Sequence, residues 1–227
     1  MKRILSYFMA ALLVVTLPSC AALKGALIGT GSGAAVGAGI GAAIGDGKGA
    51  AIGAAVGAAV GSTVGSIIGA VMDKKAKELE EVAGAEVETV TDVNGLEAIK
   101  VTFDSGILFA TNSATLSNES KTSLKDFATK MADLEDTDIT IWGHTDNTGT
   151  YEVNQRVSNN RASSVQKYLN SCGIANERMT AEGKSYDMPV ADNGTVEGRA
   201  QNRRVEIYIS ANSDMVKAAE NGEIKIN

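Results

Sequence analysis

Histidine and tryptophan occur once each in this 227-residue chain, cysteine and proline twice each, and aromatic residues make up only 4% of it. One histidine and two cysteines leave too few soft ligands for a structural zinc site, which needs four. Basic residues form no stripe, no aromatic platform interleaves with them, and the net charge is −6, so nucleic acid is excluded as a partner. Glycine is the opposite case: there are 25, crowded into one early stretch, while most aromatics fall later. The globular core therefore belongs to the second half, where some 140 residues can bury an interior.

The first residues read as an export leader. Lys2 and Arg3 supply the positive start, and Ile4 to Val15 is an apolar run too short to be a dependable membrane span. Leu17-Pro18-Ser19-Cys20 closes it and resembles a lipobox, in which cleavage leaves a lipidated Cys20 at the new N-terminus, although Pro18 departs from the usual residue. The alternative is an ordinary secreted protein with Cys20 free or removed. Lipidation has a large consequence, since each buried methylene contributes about 0.8 kcal/mol to anchoring.

From Gly25 to Gly69 glycine stands at every fourth position, with a second row of Ile and Val and with alanine filling most of the rest. Residues four apart are neighbours on a helix, and a column of glycines makes a groove that another backbone can enter. In water such a helix is costly, about 1 kcal/mol per glycine against alanine, so close packing or an apolar solvent must offset it. Asp46-Gly47-Lys48 divides the run into halves each about long enough to span a bilayer core. The pattern resembles the glycine zippers of bacterial outer-envelope lipoproteins and predicts a helical hairpin, embedded or self-associated, over residues 25–72. A mobile glycine-alanine linker is the bland alternative.

Beyond residue 85 the signals alternate. Val87, Val90 and Val93 precede Asn94-Gly95, a strong hairpin signal, with Leu96 to Phe103 as the partner strand. Leu116 to Leu134 has helical spacing with Ser117 as N-cap. Asp138 to Trp142 alternates as a strand, and Asn154 to Leu169 is an amphipathic helix stopped at Gly173. Met179 to Glu182 and Val205 to Ile209 read as strands, and the tail after Ala211 as frayed. The expected class is α+β, a βαβαβ-type mixed sheet with helices packed on it.

The densest polar signal is Gly143-His144-Thr145-Asp146-Asn147-Thr148-Gly149, between a strand and a helix that carries Asn154, Ser158 and Arg161. Gly198 to Glu206, with Arg203 and Arg204, stands before the last strand. An aspartate at a strand end and an arginine on the next helix can face one cleft, and the pair suits a zwitterion: a carboxylate for an ammonium group, a guanidinium fork for a carboxylate. A structural salt bridge is the bland reading of the same two residues.

These pieces resemble the OmpA-like peptidoglycan-binding domain: Phe103-Asp104, Phe109, Asn112 and Leu116, the Gly143–Gly149 stretch, Asn154 to Ala162, then Pro189, Asn193 and Gly198 to Ile207. With the lipobox and zipper, the whole is similar to an OmpA-family outer-membrane lipoprotein of the YiaD type. Val157 and Gly183-Lys184-Ser185 depart from the family's usual residues without touching the charged pair. The resemblance implies that Asp146 holds the ammonium and Arg161 the carboxylate of diaminopimelate in the peptide stem. It also implies that Asn112, Thr145, Val157 through its backbone, and Arg203 complete the pocket. It implies no enzyme activity, catalytic residue, cofactor or metal. The expected partners are peptidoglycan and the outer membrane, with a periplasmic C-terminal domain; homo-oligomerisation stays open. Ala21 after the lipidated cysteine favours the outer membrane by the same resemblance.

The expected layout is a leader at 1–19, a lipidated N-terminus at 20–24, the zipper hairpin at 25–72, a linker at 73–85, the wall-binding domain at 86–211 and a flexible tail at 212–227. The rival from another class is a zipper-built membrane oligomer or pore braced on the wall. A motor stator ranks low because the zipper halves carry no intramembrane carboxylate. A wall hydrolase ranks lower, because no acid–base pair is evident. His144 reads as a loop hydrogen bond rather than a catalyst, Cys172 as an unpaired thiol, and Trp142 as core.

Overall fold

The computed structural model describes residues 62–109 and 113–224. The leader, Cys20, the zipper before Ser62 and Asn112 lie outside the described residues. Five strands form one sheet: β1 (Ala85–Thr91), β2 (Glu97–Asp104), β3 (Thr137–Gly143), β4 (Met179–Gly183) and β5 (Arg204–Ala211). Their spatial order is β1-β2-β5-β3-β4, antiparallel except for the β3–β4 pair. The helices are α1 (Ser62–Leu79), the single turn α2 (Ser105–Leu108), α3 (Asn118–Lys130), α4 (Tyr151–Ser171), the short α5 (Val196–Asn202) and α6 (Ser213–Glu220). This is the expected mixed-sheet α+β class.

Alternation along the strands sends Ile99, Val101, Phe103, Ile139, Ile141, Val205, Ile207 and Ile209 to one face. There they join Leu124 and Phe127 of α3 and Val165 and Leu169 of α4 in one core. Parallel β3 and β4 require a crossover, and α4 supplies it. Two glycines let α4 lie close on these strands. A Cβ on Gly143 would strike the Ser158 carbonyl, and one on Gly183 would strike the Asn159 backbone N and Ser158 Oγ. Gln155 Nε2 donates to the Gly183 carbonyl at 2.6 Å, and Gly183 N donates to Asn159 Oδ1 at 2.6 Å.

Two expected boundaries are corrected. Residues 73–79, whose charged, helix-prone sequence predicts an extension of the zipper helix into water, do continue it as α1, but this helix packs into the domain instead of linking to it. Ile68, Met72, Ala76, Leu79 and Val82 are buried in the common core. Each large apolar side chain among them contributes roughly 1.5–3 kcal/mol. Lys75 fixes the helix from the side: its Nζ reaches Asp133 Oδ1 at 2.6 Å, the Lys130 carbonyl at 2.7 Å and Glu78 Oε2 at 2.5 Å. Gly69, from the zipper column, leaves room for the Glu97 carboxylate. Residues 212–220 of the expected tail are not frayed either. Asn212 caps α6 by accepting from the N–H groups of Asp214 and Met215, and Met215, Val216 and Ala219 join the core.

Candidate functional site

The loop after β3 is held at both ends before any ligand is considered. His144 N donates to the Arg204 carbonyl at 2.9 Å and Thr145 N to the Ser185 carbonyl at 2.8 Å. Asp146 Oδ1 then accepts from Thr148 N at 2.9 Å, a local turn of the kind aspartate favours. Gly149 follows with φ +95°, a conformation in which a side chain would be strained. Asn154, buried on the first turns of α4, donates to the Thr148 carbonyl at 2.9 Å, and Thr150 caps the helix. The helix therefore begins at Tyr151, three residues earlier than the apolar spacing predicts.

Asp146, Arg161 and Arg203 line a single cleft of about 360 Å³, floored and walled by Ser105, Gly106 and Phe109 on one side and Asn154 and Val157 on the other. Arg203 Nη1 donates to Asp146 Oδ2 at 2.7 Å. The Arg161 guanidinium lies 5.2 Å from the centre of the Phe109 ring, a cation–π distance, and its Nε donates to the Ser113 carbonyl at 3.1 Å.

A second arginine shows what is unusual about Arg161. Arg178 spends its guanidinium on the chain: Nε donates to the Thr137 carbonyl at 2.9 Å, and Nη2 to the Leu134 carbonyl at 2.7 Å and Thr137 Oγ1 at 2.8 Å. Arg161 is only 6% exposed, yet among the described residues its two terminal nitrogens have no hydrogen-bond partner. The guanidinium lines the cleft, so among the described residues these two nitrogens are left to a ligand on that side.

The electrostatics agree. Burial pushes the Asp146 carboxyl up, but hydrogen bonds from Arg203 and Thr148 outweigh it and leave the group below its ordinary range, hence ionised. Burial lowers Arg161, the nearby Arg203 charge adds to this, and Asp146 opposes both. Arginine stays charged under any such shift. The cleft thus holds one anion and two cations, of which Arg161 makes no ion pair among the described residues.

Of the predicted site residues, Asp146, Arg161, Thr145, Val157 and Arg203 line this cleft, and Asn112 lies outside the described residues. Missed as site residues are Ser105 and Gly106, from the one-turn α2, and Thr148 and Val153. Phe109 and Asn154 stood in the motif without an assigned role. A larger hollow, about 470 Å³, opens on the other face of the sheet, but its cations are already answered by carboxylates. Lys100 pairs with Glu88 at 2.5 Å and Arg204 with Glu206 at 2.7 Å. His144 belongs to that second group, with Nε2 3.3 Å from Glu206 Oε2, and burial holds its ring below the ordinary histidine value. Trp142 is buried on the same face against Tyr208, with Lys184 Nζ 4.7 Å from its ring centre. Cys172 is an unpaired, half-buried thiol.

Residues 108–203 match the OmpA family, and residues 1–79 match the YMGG-like Gly-zipper. The chain is 39% identical over 110 residues to the probable lipoprotein YiaD of Escherichia coli (strain K12), covering 48% of this chain and 48% of that protein. It is 37% identical over 113 residues to the peptidoglycan-binding protein ArfA of Mycobacterium bovis, covering 50% and 35% respectively. The chain thus spans about half the length, or less, of these curated relatives. Among solved structures, the cell wall anchor of the T6SS from Pseudomonas aeruginosa superposes with a TM-score of 0.52 at 30% identity, covering 62% of this chain and 96% of that one. Sequence, fold and cleft agree: the C-terminal part of this chain is an OmpA family domain, preceded by a Gly-zipper segment of the YMGG-like kind.

Proposed function

We propose that this protein binds peptidoglycan without covalent bonds, through the diaminopimelate of its peptide stems, and so ties the outer membrane to the cell wall. The observation that carries the reading is the open guanidinium fork of Arg161 facing the same cleft as the ionised Asp146. The free end of diaminopimelate bears an ammonium and a carboxylate on one carbon, the complement of that pair. Asp146 gives Oδ2 to Arg203 and Oδ1 to Thr148 N. A carboxylate has about four lone-pair sites, so an ammonium group can still be received beside them. Arg161 receives the carboxylate, Phe109 keeps its guanidinium in place, and Thr145 and Val157 close the wall.

The names of YiaD and ArfA support the same direction, one as a probable lipoprotein and the other as a peptidoglycan binder. On this reading lipid on Cys20 holds the outer membrane and the domain works in the periplasm as a binding module rather than an enzyme. The pore alternative is less favoured at the C-terminal end of the zipper, because residues 62–72 pack into the core of the binding domain.

The test is a titration of the protein with two soluble stem peptides that differ at one residue, diaminopimelate or lysine. Lysine keeps the ammonium and lacks the carboxylate, so it leaves Arg161 unanswered. Charged hydrogen bonds contribute about 1.5–3 kcal/mol each, so the lysine stem should bind roughly 10- to 100-fold more weakly. Equal affinity for both, or none for either, overturns the proposal.

A further inference from the structure

We propose that the flank of α4 around Tyr151 is a second subsite, which takes the N-acetylated sugar backbone of the same polymer. It rests on the stem-binding reading above, and it answers where the rest of the ligand goes once one stem residue fills the cleft.

Tyr151 is a large aromatic side chain left 43% exposed, but it is not loose. Its ring meets Tyr186 edge to face, with centroids 5.6 Å apart and planes at 89°, and its hydroxyl donates to Asp187 Oδ2 at 2.8 Å. A ring fixed in this way offers an apolar surface to a ligand at little further cost in side-chain entropy. Beside it lies an open hollow of about 460 Å³ lined by Glu152, Gln155, Arg156, Asn159 and Asn160.

The amides there are already oriented. Gln155 uses its Nε2 on the Gly183 carbonyl, and Asn159 uses its Oδ1 on Gly183 N, so the protein leaves Gln155 Oε1 as an acceptor and Asn159 Nδ2 as a donor. An acetamido group carries one N–H and one carbonyl, the matching complement. The side chains of Arg156 and Asn160, both exposed, make no hydrogen bond among the described residues and can meet ring hydroxyls. Glu152 and Arg156 cancel in charge, as suits a neutral sugar. An aromatic ring for the C–H face and amides for the substituents is the chemistry a pyranose requires.

The position fits too. Val153, Asn154, Val157 and Arg161 face the cleft, while Tyr151, Gln155 and Asn159 lie on the other flank of the same helix. The exposed Val153 stands near the crest between them. The two hollows are separated by about one helix diameter, ~10 Å. Three extended residues span about 10 Å, so a tripeptide stem ending in diaminopimelate can cross the crest and deliver its sugar to the far side.

The experiment titrates the full chain with a stem tripeptide ending in diaminopimelate and with the same tripeptide joined to its disaccharide. The sugar-bearing ligand should bind roughly tenfold more tightly, equivalent to about 1.4 kcal/mol. Tyr151→Ala should erase that advantage and leave tripeptide affinity unchanged, whereas Tyr151→Phe, which keeps the ring, should retain most of it. Arg156→Ala, at an exposed position, should cut the same advantage at least twofold, and it serves as the test if Tyr151→Ala does not fold. Equal affinity of the two ligands for the unaltered protein overturns the sugar subsite alone, as does an equal loss of both ligands in Tyr151→Ala. Binding of neither ligand removes the stem reading and this one with it.

Discussion

Residues 143–146 and 202–206 supply two clusters of charge with different fates. Behind the sheet, Arg204 is fully engaged: Nε meets Glu206 Oε1 at 2.7 Å, Nη2 the Met188 carbonyl at 3.1 Å and Nη1 the Asn202 carbonyl at 3.4 Å. The Tyr208 hydroxyl donates to Glu206 Oε2 at 2.8 Å. Burial alone would raise the Glu206 carboxyl, yet the contact with His144, the charge of Arg204 and the Tyr208 hydroxyl hold it at about 2. Burial and the Glu206 charge together push Tyr208 well above its usual range. In the cleft, Arg203 is the immediate neighbour of Arg204 and Asp146 lies two residues past His144, but Arg161 keeps an open fork. Buried charges that answer one another serve the fold; on the proposed reading, the fork that no described residue answers is left for the ligand.

Changing one residue in each cluster should separate these roles. Arg161→Ala should weaken binding of diaminopimelate stems by about 100-fold or more, since breaking a desolvated pair costs about 3–5 kcal/mol. Its thermal midpoint should stay close to that of the unaltered protein. A large fall in stability with intact binding would show instead that Arg161 is structural.

Glu206→Gln should do the reverse. It removes the charge that answers the buried Arg204 and should cost about 2–4 kcal/mol in urea unfolding. The folded fraction should bind as before.

Acid should act on the rear cluster first. The Glu206 pKa lies below its ordinary 4.5, so its stabilisation is complete above pH 4.5 and drains as pH falls toward about 2. His144 is held below 6.5, so the fold prefers the neutral ring, and that contribution begins to drain below pH 6.5. Urea midpoints at pH 7, 5 and 3 should fall in sequence, and Glu206→Gln should flatten the step from 5 to 3. A midpoint that stays level down to pH 3 contradicts this assignment.

The smallest effect belongs to Arg203→Ala. Its side chain is 41% exposed, so its pair with Asp146 is screened by solvent. Stem affinity should shift by only about two- to fivefold, with a weaker dependence on salt.

The sheet was readable in the sequence because its strands alternate cleanly, and the cleft because Asp146 and Arg161 sit in a dense polar motif. The docking of α1 was not. A column of glycines and small apolar residues looks the same whether lipid or a protein core covers it, and only Met72, Ala76 and Leu79 in place show which. Residues 213–220 carry no clear helical signal, because two turns hold too few apolar positions to set a period, although Asn212 is a recognisable cap. Ser105 and Gly106 reached the cleft through a four-residue helix, which leaves no periodic trace. Phe109 carried no signal of its own role, since the ring matters through a guanidinium that arrives from a helix some fifty residues later.

The docked α1 also sets how this molecule carries load. On the proposed tethering role, a pull between a bound wall and the chain before Ser62 enters the domain through a helix bonded along its side by Lys75 and packed by Met72 and Leu79. The force then loads that seam as well as the cleft.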